Sequence, residues 1–413
     1  MATLEQALQQ WFGFERFRLG QRELVEAVLA GQDALGILPT GSGKTLCYQL
    51  PARLLGGLTV VIEPLLALMD DQVARLQAAG EKQAVSLSSR LAPEDFAWVC
   101  RHLSAYRFLF VSPETLLRPD VLAAFKQVAV TCLVVDEAHC ISQWGPDFRP
   151  AYLRLAQIKA RLAPRCTLAL TATAPERVQQ DIVTALRLNA PRMVVTSVDR
   201  PNIFLGVEEV ASMAAKQQRV LTLVQQLHAP TIVYFDRRVE AEAWSDVFTA
   251  AGLAASYYHA GLDDTSRMLI QRQFMAGQLT VICATSAFGM GIDKADVRLV
   301  VYTYAPESLE AYSQGIGRAG RDGKPSASLV LLAPGDLQRA QQFAQALPDP
   351  QLIASVYASP EAYADSDDPQ INLVSAYVRT HFSQAQVQRR LEARSREKQA
   401  GMQAVSAYLT HQG

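Results

Sequence analysis

Cysteine is scarce in this chain and poorly placed for chemistry. The six residues, Cys47, Cys100, Cys132, Cys140, Cys166 and Cys283, include no pair at C-x2-C spacing, and none lies beyond position 283. No zinc is expected from such a set, and no disulfide framework. Neither sign of charge dominates, since 39 basic and 40 acidic residues leave a net charge of −1. That balance excludes a uniformly basic binder but leaves room for one groove lined with Arg and Lys. The first residues, MATLEQALQQWF, lack the basic start and apolar core of a secretory signal. The uncharged stretch between Asp246 and Asp263 carries Gly, Ser, two Tyr and a His, which is poor material for a membrane helix. A cytoplasmic protein with no membrane segment is expected. There is no internal repeat and no low-complexity tract.

The 413 residues exceed one ordinary domain, and a composition 49% hydrophobic and 19% charged is enough to bury more than one core. Short apolar runs recur between longer helix-like stretches. In the first half they are ALGIL (34–38), LTVVI (58–62), RFLFV (107–111), TCLVV (131–135) and CTLAL (166–170). In the second they are NIFLGV (202–207), PTIVYF (230–235), VICAT (281–285), VRLVVY (297–302) and SLVLLA (328–333). Continuous runs of this length fit strands buried on both faces, as in a parallel sheet. The segments between them, such as PERVQQDIVTALRL (175–188), carry helical spacing. The expectation is an α/β fold in two successive units, residues 1–197 and 198–335, with a boundary near VTSVDRPN (195–202). Beyond Pro334 the strand-like runs stop, so 336–413 is expected to be a mainly helical extension.

The strongest motif is LPTGSGKT, Leu38 to Thr45, directly after the first apolar run. A Gly-rich turn between strand and helix lets backbone N–H groups wrap phosphates, with Thr40, Gly41, Ser42 and Gly43 forming the cradle. Lys44 would reach the β/γ-phosphates of ATP, and the Thr45 hydroxyl would ligate Mg²⁺. Leu38 stands where the strict P-loop pattern has Gly. CLVVDEAH (132–139) supplies the acidic partners: Asp136 to hold Mg²⁺ through water, and Glu137 to orient and deprotonate the attacking water. Positive charge for the departing phosphate has two candidates far downstream, Arg318 and Arg321 in GRAGRDG (317–323).

FGFERFRLGQ (12–21), LPTGSGKT, DEAHCISQWGPDFRPAY (136–152), LTATA (170–174), YHAGL (258–262), ATSAFGMGIDKADVR (284–298) and QGIGRAGRDG (314–323) stand in the order of the RecQ DNA helicase motifs, which the chain resembles from about residue 8 to 335. The resemblance implies two tandem RecA-like domains and an ATP-driven 3′→5′ helicase acting on DNA in repair or recombination. By matching position, Gln21 resembles the family's adenine-recognising Gln, since an amide can pair with an adenine edge, and Arg18 helps hold the base. Trp144 and Phe148 fall in the aromatic-rich loop, offering faces for unstacked bases, and Arg149 adds a phosphate or stacking contact. The family usually has His where Pro146 stands, and Pro removes a titratable donor and stiffens that loop. His139, Thr171 and Thr173 fall in the coupling motifs, although Thr at a strand end serves structure equally well. Gln314, Arg318 and Arg321 match the last motif, with Arg321 as arginine finger and Arg318 as the nearer phosphate contact. Gly315 replaces a frequent Glu. Asp293 falls in the motif that senses nucleotide and strand together, whereas His259 reads as structural.

Most RecQ proteins continue into a zinc module and a winged helix. The end of this sequence resembles the helix leading into that module, which is expected of a truncated chain or, second, of a short form. Arg389, Arg390, Arg394, Arg396 and Lys398 could contact duplex phosphates, but the interspersed Glu392 and Glu397 favour a solvated helix face. The implied partners are single-stranded and partly duplex DNA, with a single-strand-binding protein as a further candidate and a monomer as the expected state. Two rivals remain at this stage: a DNA translocase that unwinds weakly, and a DNA-junction scaffold with a vestigial ATPase. An RNA helicase is disfavoured by the aromatic loop.

Overall fold

The computed structural model describes residues 3–142, 150–197, 199–289, 294–345, 347–363, 366, 368–379 and 382–410. The chain divides into two compact units. One comprises residues 1–198 with 348–390, and the other 199–347 with 391–413. The C-terminal segment is thus shared between them rather than standing apart.

In the first unit the described strands are β1 (Ala34–Ile37), β2 (Leu58–Ile62), β3 (Ala84–Leu87), β4 (Phe108–Val111), β5 (Val130–Val135), β6 (Cys166–Thr171) and β7 (Arg192–Val195). They form one sheet in the order β3-β4-β2-β5-β6-β1-β7, every neighbouring pair parallel. The second unit holds β8 (Ile203–Glu209), β9 (Thr231–Tyr234), β10 (Ala255–Tyr258), β11 (Val281–Ala284), β12 (Leu299–Tyr302) and β13 (Ser326–Leu332). Their order is β10-β11-β9-β12-β13-β8, again all parallel. The expected α/β class with parallel sheets and a helical C-terminal segment is therefore what the chain adopts. Among the described residues no helix is long and apolar enough to cross a membrane.

Each apolar run corresponds to an observed strand. Three further strands, β3, β7 and β10, lie at sheet edges, where only part of each strand is covered. Edge strands need no continuous apolar run, so their sequences AVSL, RMVV and ASYY carry little of the signal that marks a central strand.

Parallel pairing has one consequence for the site. The carboxyl ends of β5, β6 and β1, adjacent in that order, all stop at the same edge of the sheet. The helix Gln21–Ala30 is set over β1 by a close approach at Gly36. A Cβ there would come 2.5 Å from Leu24 Cδ1 and 2.9 Å from Leu170 Cδ2. In the second unit, the wholly buried Lys216 ammonium donates to the Thr303 carbonyl at 2.6 Å and to Asp336 Oδ2 at 2.5 Å. That ion pair ties the helix Met213–Leu227 to the chain leaving β12 and β13. Removing either partner would leave a buried uncompensated charge.

Gly36→Ala forces Leu24 or the helix bearing Gln21 to shift. We expect a loss of ~1–3 kcal/mol in stability, read as a lowered denaturation midpoint with an unchanged slope.

Candidate nucleotide site

The P-loop leaves β1 through Leu38, whose N–H donates to the Thr171 carbonyl at 3.0 Å and continues the ladder to β6. The loop then turns through Gly41 (φ 83°) and Gly43 (φ 79°), a region that side-chain-bearing residues seldom adopt. Gly43 is also short of space, because a Cβ would lie 2.8 Å from Gln21 Nε2. The helix Leu46–Leu55 follows, with Thr45 at its N-cap. A Thr in that position ordinarily caps the first turn with its side chain. Here the hydroxyl makes no capping bond, which leaves it free for a ligand. The Ser42 hydroxyl in the same loop is buried with no hydrogen-bond partner among the described residues.

Gln21 is buried and braces this loop. Its Nε2 donates to the carbonyls of Ser42 (2.8 Å) and Gly43 (3.1 Å), and its Oε1 accepts from the Arg18 N–H at 2.8 Å. Arg18 Nη1 donates to the Gly41 carbonyl. Both Nε2 protons of Gln21 are thus committed to the loop backbone, so pairing with an adenine edge requires the amide to release one of them.

Asp136 and Glu137 stand at the end of β5. Asp136 is 8% exposed, its N–H donates to Ile62 and its Oδ1 accepts from the Glu137 N–H at 2.9 Å. Burial, reinforced by the neighbouring Glu137 carboxylate, pushes its pKa up to about 6, while the Lys44 ammonium pulls the other way. Glu137 takes a left-handed backbone conformation (φ 45°, ψ 47°) at the start of the 3₁₀ turn Ala138–Ile141, a strain of ~1–2 kcal/mol for a side-chain-bearing residue.

The sequence paired His139 and Thr171 only as coupling residues, and the structure puts them in contact. Thr171 donates its hydroxyl hydrogen to the Thr173 carbonyl at 3.2 Å, and His139 Nδ1 lies 2.9 Å from the same hydroxyl oxygen. Nδ1 and the Thr171 hydroxyl are thus within hydrogen-bonding distance, the donor being set by the imidazole tautomer. Nδ1 also lies 3.3 Å from Glu137 Oε2. His139 therefore bridges the end of β6 to the carboxylate on β5. Tyr152, fully buried beyond the loop, donates its hydroxyl to the Asp136 carbonyl at 3.3 Å. Trp144, Phe148 and Arg149, and likewise Asp293, lie outside the described residues.

Gln314, Arg318 and Arg321 all belong to the second unit. Gln314 lies on the helix Leu309–Ile316, and Arg318 is buried in the turn that follows. Arg321 is partly exposed, its Nε donating to the Gly317 carbonyl at 3.4 Å. Gly315 has a steric explanation: a Cβ would fall 1.7 Å from the Tyr302 hydroxyl, so the tyrosine occupies the room a larger residue would need. Two residues read from sequence only as part of a domain boundary, Arg200 and Asn202, turn out to hold this turn by its carbonyls. Their signal in the sequence was nothing more than a charged and an amide residue flanking Pro201.

Two successive parallel-sheet units, the first carrying a P-loop with a buried Asp136 beside a partly buried Glu137, define a nucleotide-driven motor of the tandem RecA-like class. Residues 18–182 match the DEAD/DEAH box helicase model, and residues 215–323 match the helicase conserved C-terminal domain. The chain is 47% identical over 346 residues to a probable ATP-dependent DNA helicase RecS of Bacillus subtilis, covering 84% of this chain and 70% of that protein. It is 40% identical over 336 residues to an ATP-dependent DNA helicase RecQ of Pasteurella multocida, covering 81% of this chain and 53% of that protein. Among solved structures, Mycobacterium smegmatis helicase Lhr bound to ssDNA and AMP-PNP superposes with a TM-score of 0.68 at 21% identity, over 95% of this chain and 57% of that one, a likeness of fold. The chain belongs to the RecQ family of ATP-dependent DNA helicases.

Because the folded-state pKa of Asp136 is raised, its carboxyl binds a proton more tightly in the folded than in the unfolded chain. Stability contributed by the neutral form is complete below pH ~4 and is lost as pH rises through about 6. Asp136→Asn is therefore expected to stabilise the nucleotide-free protein at pH 8, by on the order of 2 kcal/mol, with the gain fading towards pH 4. Thermal unfolding across that range checks it, and ATP turnover by the same variant should vanish.

Proposed function

We propose that this chain is a DNA helicase motor that couples ATP hydrolysis to 3′→5′ translocation on single-stranded DNA, and so to duplex unwinding in repair or recombination. One observation carries the nucleotide half of the reading. A carboxylate is buried beside a second one and within the field of Lys44, below a loop whose Ser42 and Thr45 hydroxyls have no capping or internal partner. Such an arrangement is unfavourable until a cation and phosphates complete it.

The donor set fits Mg²⁺, a hard cation that takes oxygen ligands. Thr45 and Asp136 would hold it, and when bound it would neutralise charge on the phosphates. Lys44 and the loop N–H groups hold the phosphate chain. Glu137, oriented by its own backbone strain and by His139 Nδ1, takes the proton of the attacking water. His139 and Thr171 lie in one hydrogen-bonded set with that carboxylate, so a shift at the end of β6 would be felt at Glu137. Arg321 supplies positive charge to the departing phosphate, with Arg318 beside it in the turn. Trp144, Phe148 and Arg149 are the proposed base and phosphate contacts on DNA.

The test is steady-state ATP hydrolysis with and without single-stranded DNA, beside unwinding of duplexes with a 3′ or a 5′ tail. We expect strong stimulation by DNA, its loss in Lys44→Ala, and unwinding from the 3′ tail. Turnover that is equally low with and without DNA would overturn the motor reading, and unwinding from the 5′ tail would overturn the direction.

A further inference from the structure

The second unit begins with Asp199, and its next residues face the turn that bears Arg318 and Arg321. Arg200 Nη2 donates to the carbonyls of Ala319 and Gly320, both at 2.8 Å, and Nη1 donates to that of Gly317 at 3.4 Å. Its Nε donates to Asn202 Oδ1 at 3.3 Å. That contact sets the Asn202 amide, whose Nδ2 donates to Gly320 (2.9 Å) and Lys324 (3.0 Å). The two side chains together grip the carbonyls on either side of Arg318 and the one immediately before Arg321.

The turn they hold has little slack. Gly320 sits at φ 54°, and a Cβ there would lie 2.3 Å from Ser326 Oγ, 2.5 Å from Asn202 Nδ2 and 2.8 Å from the Lys324 carbonyl. Asn202 also accepts the Ser326 N–H through its own carbonyl, at 2.9 Å, where β13 begins. Burial lowers the pKa of Arg200, and its hydrogen bonds go to carbonyl oxygens rather than to a carboxylate. A partly buried guanidinium placed on four oxygens in a fixed fork fits the task of fixing backbone shape better than that of cancelling charge.

We propose that Arg200, seconded by Asn202, is a positioning residue for hydrolysis: it holds the Gly317–Arg321 turn in the one conformation that aims the arginine finger. Neither residue falls within the span matched by the helicase C-terminal model, which begins at 215. The proposal rests on the role given above to Arg321. Lysine cannot replace Arg200 fully, because an ammonium at the end of a flexible stem cannot reach these carbonyls with a planar fork.

The test compares the wild-type chain with Arg200→Gln, Arg200→Lys, Asn202→Ala and Arg321→Ala. It measures kcat and KM for ATP at saturating single-stranded DNA, together with the thermal midpoint and the fraction folded. A misaimed group lowers turnover without weakening ground-state binding. Arg200→Gln is therefore expected to lose ~10-fold or more in kcat, with KM for ATP changed less than ~2-fold and with Arg200→Lys intermediate. Asn202→Ala, a milder change at the same turn, should move kcat in the same direction and covers the case in which Arg200→Gln fails to fold. Wild-type kcat per folded molecule in the Arg200 and Asn202 variants, with Arg321→Ala inactive, would overturn the proposal while leaving the finger in place. Wild-type kcat in Arg321→Ala would instead remove the finger role and the proposal with it.

Discussion

The nucleotide site depends on three parallel strands lying side by side. Because β5, β6 and β1 run in the same direction, their carboxyl ends bring the acidic pair, the Thr171 hydroxyl and the P-loop to one edge without any long-range side-chain design. An antiparallel neighbour anywhere in that trio would send one of these groups to the opposite edge. The remaining contacts refine what pairing has already set. Gly36 lets the helix of Gln21 settle on β1, Gln21 then grips the loop, and His139 spans from β6 to the end of β5.

The acidic pair shows how such a site stays reactive. Asp136 is buried beside Glu137, and its pKa is pushed up to about 6 because the interior disfavours two adjacent negative charges. Glu137 is held in a strained backbone conformation. Both features cost the folded protein stability. Stability and function are therefore set against each other within two consecutive residues.

Strands that carry a continuous apolar run were legible in the sequence and the edge strands β3, β7 and β10 were not, for a reason of burial. ALGIL and LTVVI are covered on both faces and read as unbroken apolar runs, whereas RMVV exposes three of its four residues. The P-loop and the DEAH segment were legible because their residue types have few other uses at that spacing. What escaped was whatever depended on which groups meet in space. Nothing in the letters links Arg200 to Gly320 across 120 residues, or the absence of a side chain at Gly315 to the hydroxyl of Tyr302. Gln21 was picked out for its amide, but its grip on the Ser42 and Gly43 carbonyls needed coordinates. The C-terminal segment looked like one extension because composition cannot say which core a helix joins.

The boundary between the units also looks different once its hydrogen bonds are drawn. By composition it runs over the eight residues of VTSVDRPN. Yet Thr196 is fastened to the last residue of β1, its N–H and its hydroxyl both donating to the Ile37 carbonyl at 3.0 and 3.1 Å, and Arg200 is fastened to the arginine-bearing turn. Only residues 197–199 lie between the two anchors. The boundary thus narrows from eight residues to three, each flanking residue being fastened within its own unit.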